Sequence, residues 1–306
     1  MRHAKNITLS ICFLLITNLL SAQSFFQRGI ASFNQNDFKQ AITWFSWAVK
    51  ADSVDAIRYY NRGNAWRNLD ENRKAHEDFQ QAVILDPTNG DAHFMLGLTA
   101  YFLGEYELSV NANSKALSFG NSYGSQALLN RAQTYIRLGK NKKAFEDFAS
   151  IIELEDANLK NAHFERAQFY MRINDKRSAL ADYKKVVELN PKNTQLTWDI
   201  GRVSYEIEKY ADALTYYSRA MDQIEKPEAQ LYLIRGEVFE KLTHYEAAIE
   251  DYTRVIEMNP NWAQAHYARG QAKARMGDKE SACIDWTKAS ELGHDEAKGV
   301  IVYNCK

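Results

Sequence analysis

A small residue returns along this chain at an almost fixed interval: Gly29, Gly63, Gly97, Ala132, Ala167, Gly201, Gly236 and Gly270, separated by gaps of 34 or 35 residues. Self-similarity at this period marks an array of stacked modules and constrains the fold more than any local propensity. Twelve residues after each member stands Ala41, Ala75, Ser109, Ala144, Ala179, Ala213, Ala248 or Ala282. Four residues later comes a mostly aromatic series: Phe45, Phe79, Asn113, Phe148, Tyr183, Tyr217, Tyr252 and Trp286. Three further on are Ala48, Ala82, Ala116, Ile151, Val186, Ala220, Val255 and Ala289, and Pro87, Pro191 and Pro260 share a place beyond them.

These spacings have a packing meaning. Small residues at the eighth and twentieth places of a module let two antiparallel helices approach closely. An aromatic one helical turn past the second small residue fills the gap toward the next hairpin. Proline cannot continue a helix, so it marks the end of a module. One such hairpin cannot bury its apolar face, and stability comes from stacking neighbours.

The pattern resembles the tetratricopeptide repeat, over about residues 22–296, in eight units beginning near 22, 56, 90, 125, 160, 194, 229 and 263. The resemblance implies an all-α, right-handed superhelical solenoid of eight helix-turn-helix units plus a C-terminal capping helix within 295–306. The third unit departs most, with Ser109 and Asn113 in place of the small and aromatic residues, so a weaker joint is expected there. The closing segment, Ala282 to Trp286 followed by Tyr303-Asn304-Cys305, looks like that of exported bacterial members of the family.

Residues 1–22 are a different material. Arg2 and Lys5 precede an apolar run from Ile7 to Leu20, and Ser21-Ala22 supplies small residues before Gln23. That order is a secretory signal peptide's, with cleavage expected after Ala22; a retained membrane anchor is the alternative, although the run is short for a bilayer span. The mature chain, 23–296 as array with 295–306 as cap and tail, is then not transmembrane and is periplasmic or secreted. Cleavage moves the formal net charge from −1 to −3, which offers nothing to attract nucleic acid. Cys283 and Cys305 remain, and in an oxidising compartment they could pair; two buried free thiols are the alternative.

Chemistry-bearing patterns are absent. There is no nucleophile elbow, phosphate loop or dinucleotide fingerprint, so no catalytic residue, cofactor or small-molecule substrate is expected. His93, His163 and His266 share the fourth place of their units and recur by register rather than at metal-ligand spacing, so no metal is expected. Arg28, Arg62, Arg131, Arg166, Arg235 and Arg269 share the seventh place, as in the family's framework, where they are expected to pair with neighbouring acids.

Binding is therefore the expected function, with a protein or peptide partner. By resemblance, the second, fifth, ninth and thirteenth places of each unit point into a concave groove. Candidate contact residues are Phe26, Tyr60, Asn64, Phe94, Gln133, Phe164, Gln168, Trp198, Arg202 and Tyr267. Aromatic rings would hold side chains of an extended peptide and amides its backbone. The same rings could instead be buried between neighbouring helices. Arg137, Arg172, Lys241 and Arg275 at the thirteenth place suit an acidic ligand or simply complement a helix C-terminus. Trp44 and Trp47 lie outside the packing series, as an exposed contact surface or as packing at the edge of the array.

Overall fold

The computed structural model describes residues 20–154 and 158–305. Among them are seventeen helices and no strand. The first hairpin joins α1, whose described part runs 20–34, to α2 (Phe38–Ala51). Six hairpins follow: α3 (Ala56–Arg67) with α4 (Asn72–Leu85), α5 (Gly90–Leu103) with α6 (Tyr106–Phe119), α7 (Gly124–Arg137) with α8 (Asn141–Leu154), α9 (Leu159–Arg172) with α10 (Lys176–Leu189), α11 (Thr194–Glu206) with α12 (Tyr210–Asp222), and α13 (Ala229–Lys241) with α14 (Tyr245–Met258). The eighth, α15 (Ala263–Arg275) with α16 (Lys279–Glu291), is followed by the single helix α17 (Asp295–Asn304). The segment expected to be a leader lies outside the described residues except for 20–22, which belong to α1. No described helix is long and apolar enough to cross a membrane.

The chain divides into two compact units, Met1–Ala162 and His163–Lys306, here called the first and second unit. Within each, the recurring small residues do the same job. Phe45 and Phe79 in the first unit and Tyr252 in the second have no exposed surface, and each lies against the glycine of its own hairpin. A Cβ on Gly236 would stand 2.5 Å from the Tyr252 ring, and one on Gly63 would stand 2.9 Å from Phe79. Helix-weakening glycine is tolerated here because it brings an aromatic ring onto the backbone. Asp or Asn side chains start several helices, as where Asp37 accepts from the Gln40 amide at 3.0 Å and Asn89 from the Ala92 amide at 2.9 Å.

Arginine at the seventh place meets aspartate at the twenty-third. Arg62–Asp78, Arg131–Asp147, Arg166–Asp182, Arg235–Asp251 and Arg269–Asp285 are all bidentate, through Nε and Nη2, at 2.6–2.9 Å. Three of these arginines also donate from Nη1 to a hydroxyl on the preceding hairpin: Arg62 to Ser46 (3.4 Å), Arg131 to Ser114 (3.0 Å) and Arg269 to Thr253 (3.1 Å). Burial raises the Asp78 pKa, and its bonds to Arg62 only partly oppose this. Burial also pushes on Asp285, but there Arg269 and Lys273 together outweigh it and hold the carboxyl below its ordinary range. Where the arginine is missing the aspartate is missing too: the third hairpin has Leu96 and Ala112, the sixth Ile200 and Tyr216. In the first hairpin Trp44 takes the aspartate's place, and Arg28 lies over its ring at 5.0 Å.

The third hairpin is filled, not hollow. Ser109 Oγ donates to the Gly97 carbonyl at 2.7 Å, and Asn113 Nδ2 donates to Asn130 Oδ1 at 2.6 Å. Thr134 Oγ1 donates to the Asn130 carbonyl at 2.6 Å, and all of these side chains are buried. A hydrogen-bonded network thus replaces the ring, with Asn113 Oδ1 left buried and unbonded within it.

Every hairpin turns through a left-handed residue at its fifteenth place. Asn36, Asp70, Gly104, Gly139, Asn174, Glu208, Thr243 and Gly277 have φ between 59° and 92°. Six are Gly, Asn or Asp, which tolerate this region, but Thr243 is β-branched and pays for it. Thr243→Gly is expected to stabilise the second unit by about 0.5–1 kcal/mol, the strain relieved exceeding the added flexibility of glycine. A urea midpoint that stays put or falls would contradict that accounting.

Cys283 on α16 and Cys305 after α17 are joined in a disulfide, with Cα atoms 5.6 Å apart and 22 residues apart in sequence. It ties the last helix to the last hairpin, and closing a loop of this size contributes roughly 3 kcal/mol in the chain-entropy account.

Candidate binding site

Four of the fifth-place aromatics, Phe26, Tyr60, Phe164 and Trp198, are half-buried, and each lays part of its ring on the twenty-fourth-place ring of its own hairpin. Centroid distances are 5.7 Å for Phe26–Phe45, 5.8 Å for Tyr60–Phe79, 6.0 Å for Phe164–Tyr183 and 4.3 Å for Trp198–Tyr217. They are framework on one side and surface on the other. Phe94 has no such partner, because Asn113 stands at that place. It stacks instead on Tyr123 at 4.6 Å and keeps only 5% of its surface exposed. The Tyr60 hydroxyl lies between Tyr123 and Asn64, and burial holds its pKa above the ordinary tyrosine value.

Two of the sequence-predicted residues share one depression in the first unit. It has a volume of about 360 Å³ and is lined by Arg67, Phe94, Met95, Leu98, Tyr123, Gln126, Leu129, Asn130 and Gln133. All but Tyr123 come from the first helices α3, α5 and α7, and Tyr123 is the residue that opens α7. Phe94, Leu98, Leu129, Gln126 and Gln133 occupy second, fifth and ninth places, while Arg67 and Tyr123 do not. Tyr60 and Asn64 adjoin through Tyr123; Phe26 belongs to the first hairpin and does not line the depression.

In the second unit the predicted residues are dispersed. Gln168 is exposed. Arg202 is spent on its own helix, donating to Glu206 at 2.9 Å and Asp199 at 3.4 Å. Tyr267 stacks on His294 at 4.2 Å and its hydroxyl accepts from Gln271 at 2.7 Å. None of them lines the recess of about 440 Å³ formed by Tyr205, Glu237, Glu240, Lys241, Tyr245 and Arg275. There burial raises the pKa of both Glu237 and Glu240, and Glu240 accepts a bond from the Tyr252 hydroxyl at 2.7 Å.

Among the remaining sequence candidates, Lys241 and Arg275 line that recess. His93 and His266 each bond the carbonyl of the preceding proline, Pro87 or Pro260, at 2.9 Å, and His163 bonds Asp182 at 2.7 Å. Arg137, Arg172, Lys241 and Arg275 lie in last helical turns, where a cation complements the dipole. Trp44 is half-buried and stacks on Phe25 at 6.1 Å, whereas Trp47 is 49% exposed.

Family models described as tetratricopeptide repeat match residues 56–89, 125–158 and 164–228, and one described as TPR repeat matches 236–277. Together they cover more than half of the chain. Among curated proteins, the TPR repeat-containing thioredoxin TDX of Arabidopsis thaliana is 32% identical over 94 residues, 31% of this chain and 24% of that protein. Hsc70-interacting protein 1 of Drosophila melanogaster is 31% identical over 93 residues, 30% of this chain and 24% of that protein. The chain thus spans about a quarter of the length of these relatives. Among solved structures, the C-terminal part of a TPR repeat-containing protein from Cytophaga hutchinsonii matches with a TM-score of 0.56 at 13% identity, over 78% of this chain and 98% of that one. That likeness concerns the fold alone.

Proposed function

Because this chain belongs to the tetratricopeptide repeat family, whose members act as protein-interaction scaffolds, we propose that it is a non-catalytic scaffold holding a protein or peptide on its first-helix surface, in the cell envelope. The observation that carries the binding half is the depression of the first unit. Its floor is apolar (Phe94, Met95, Leu98, Leu129) and its wall bears the amides of Gln126 and Gln133. Apolar pockets bordered by a few polar groups are where small numbers of residues supply most binding energy. The envelope half rests on the charged, apolar, small-residue order of residues 1–22 and on the Cys283–Cys305 bridge, since disulfides persist in oxidising compartments.

The test is capture from an envelope extract by the intact chain, read by mass spectrometry and repeated with Leu98→Glu and Gln133→Ala combined. At least a tenfold loss of the captured partner is expected, with the thermal midpoint little changed. Undiminished capture by the double variant would remove the groove from consideration. A second reading, docking within a larger envelope complex through a terminal surface, is favoured by the exposure of Trp47 beside Phe25. Under that reading Trp47→Ala abolishes capture and the groove variant does not.

A further inference from the structure

Among the described residues, Arg67 is the one cation that lines the depression of the first unit. Arg62 and Arg131 are forked onto Asp78 and Asp147, and Arg58 is paired with Asp52 and Asp55. Arg137 points its Nε at the Tyr101 hydroxyl, 3.4 Å away. Arg67, at the end of α3, has no ion pair or acceptor among the described residues, and its Nε is buried without a partner. A guanidinium offers paired donors in the geometry of a carboxylate, and no acid of the described residues pairs with this one. This arginine lines the depression whose floor is Phe94, Leu98 and Leu129.

We propose that the depression takes an extended segment of a partner protein in which an apolar side chain stands beside an aspartate or glutamate. The apolar side chain sits against Phe94, Leu98 and Leu129, and the carboxylate is forked onto Arg67. Gln126, exposed, and Gln133, half-buried, lie on the α7 wall and meet the peptide backbone as it continues past. One guanidinium answers one carboxylate, and the amides answer a chain that runs on, so the acid is a side chain within the segment rather than a chain end. The inference rests on the groove reading above and adds the chemistry of the occupant.

The probe is an array of synthetic dodecapeptides of randomised sequence, N-acetylated and C-amidated, with a parallel array bearing free C-termini, incubated with the intact chain. Amidated binders are expected to carry Leu, Met or Phe next to Asp or Glu. Changing that acid to its amide, or making Arg67→Gln, should each weaken binding about tenfold or more, and combining them should cost no more than either alone. Arg67→Lys should retain part of the affinity. Binders without an acid, an acid preference unchanged in Arg67→Gln, or binding confined to free C-termini would overturn the inference. If those same binders are still lost in Leu98→Glu, the groove reading survives it. Binding that persists in Leu98→Glu as well, or an array with no binder, counts against both.

Discussion

Phe79→Ala is expected to remove about 3–5 kcal/mol from the first unit, the cost of deleting a fully buried ring in a close-packed core. The ring has no exposed surface, it lies over the Gly63 backbone, and Tyr60 packs on it at 5.8 Å. Gly63 has no side chain and Ala75 and Ala82 carry only a methyl group, so these neighbours cannot fill the space. The measurement is a urea titration following the first unit, with a probe in each hairpin, since stacked repeats need not unfold in one step. Phe79→Asn should be no better than alanine, even though Asn113 holds the same place in the next hairpin. Asn113 Nδ2 donates to the Ser109 carbonyl and to Asn130 Oδ1, whereas an asparagine at 79 would face Met95 at the place of Asn130 and lose the second of these acceptors. A loss under about 1 kcal/mol for Phe79→Ala would refute this account of the core.

The second large effect concerns charge. Asp78→Ala strands the Arg62 guanidinium, which is largely buried, and is expected to cost about 3 kcal/mol. The partial exposure of the arginine side chain, 21%, keeps this at the lower end of the range for broken buried pairs. The chain contains the remedy. Arg62→Leu with Asp78→Ala copies the Leu96 and Ala112 of the third hairpin, and most of the loss should be recovered because no charge is left in the interior. If the double variant is as unstable as the single one, the penalty does not come from an orphaned charge.

How much of this could be read beforehand depended on what each position demands. The eighth, twentieth, twenty-fourth and twenty-seventh places demand size, and size is written in residue type; hence eight hairpins could be counted from spacing. The seventh-place arginines were visible, but their partners sixteen residues on are ordinary surface types until the helices are paired. The left-handed fifteenth place escaped notice, although Gly104, Gly139, Gly277, Asn36, Asn174 and Asp70 are the types that suit it, because Glu208 and Thr243 break the series. For the fifth-place aromatics residue type does not separate core from surface: Phe26, Tyr60, Phe164 and Trp198 pack on one side of the ring and stay partly exposed on the other, while Phe94 is buried. Arg67 and Tyr123 were missed because they lie off the expected groove places. The third hairpin, expected to be weak from Ser109 and Asn113 taken singly, makes sense only when Asn130 and Thr134 of the next helix are brought to them.

The joint in which Arg62, Arg131 and Arg269 reach both their own aspartate and a hydroxyl of the preceding hairpin has a consequence for how such a chain changes length. Its donor and acceptors sit at the same relative positions on either side of three separate seams. Excising the stretch between two of these seams, or copying it, would bring together ends that already carry matching halves of the joint. Unequal recombination in steps of whole modules would therefore leave the seam chemistry intact. Arrays of different reach could then descend from one gene without passing through a misfolded ancestor.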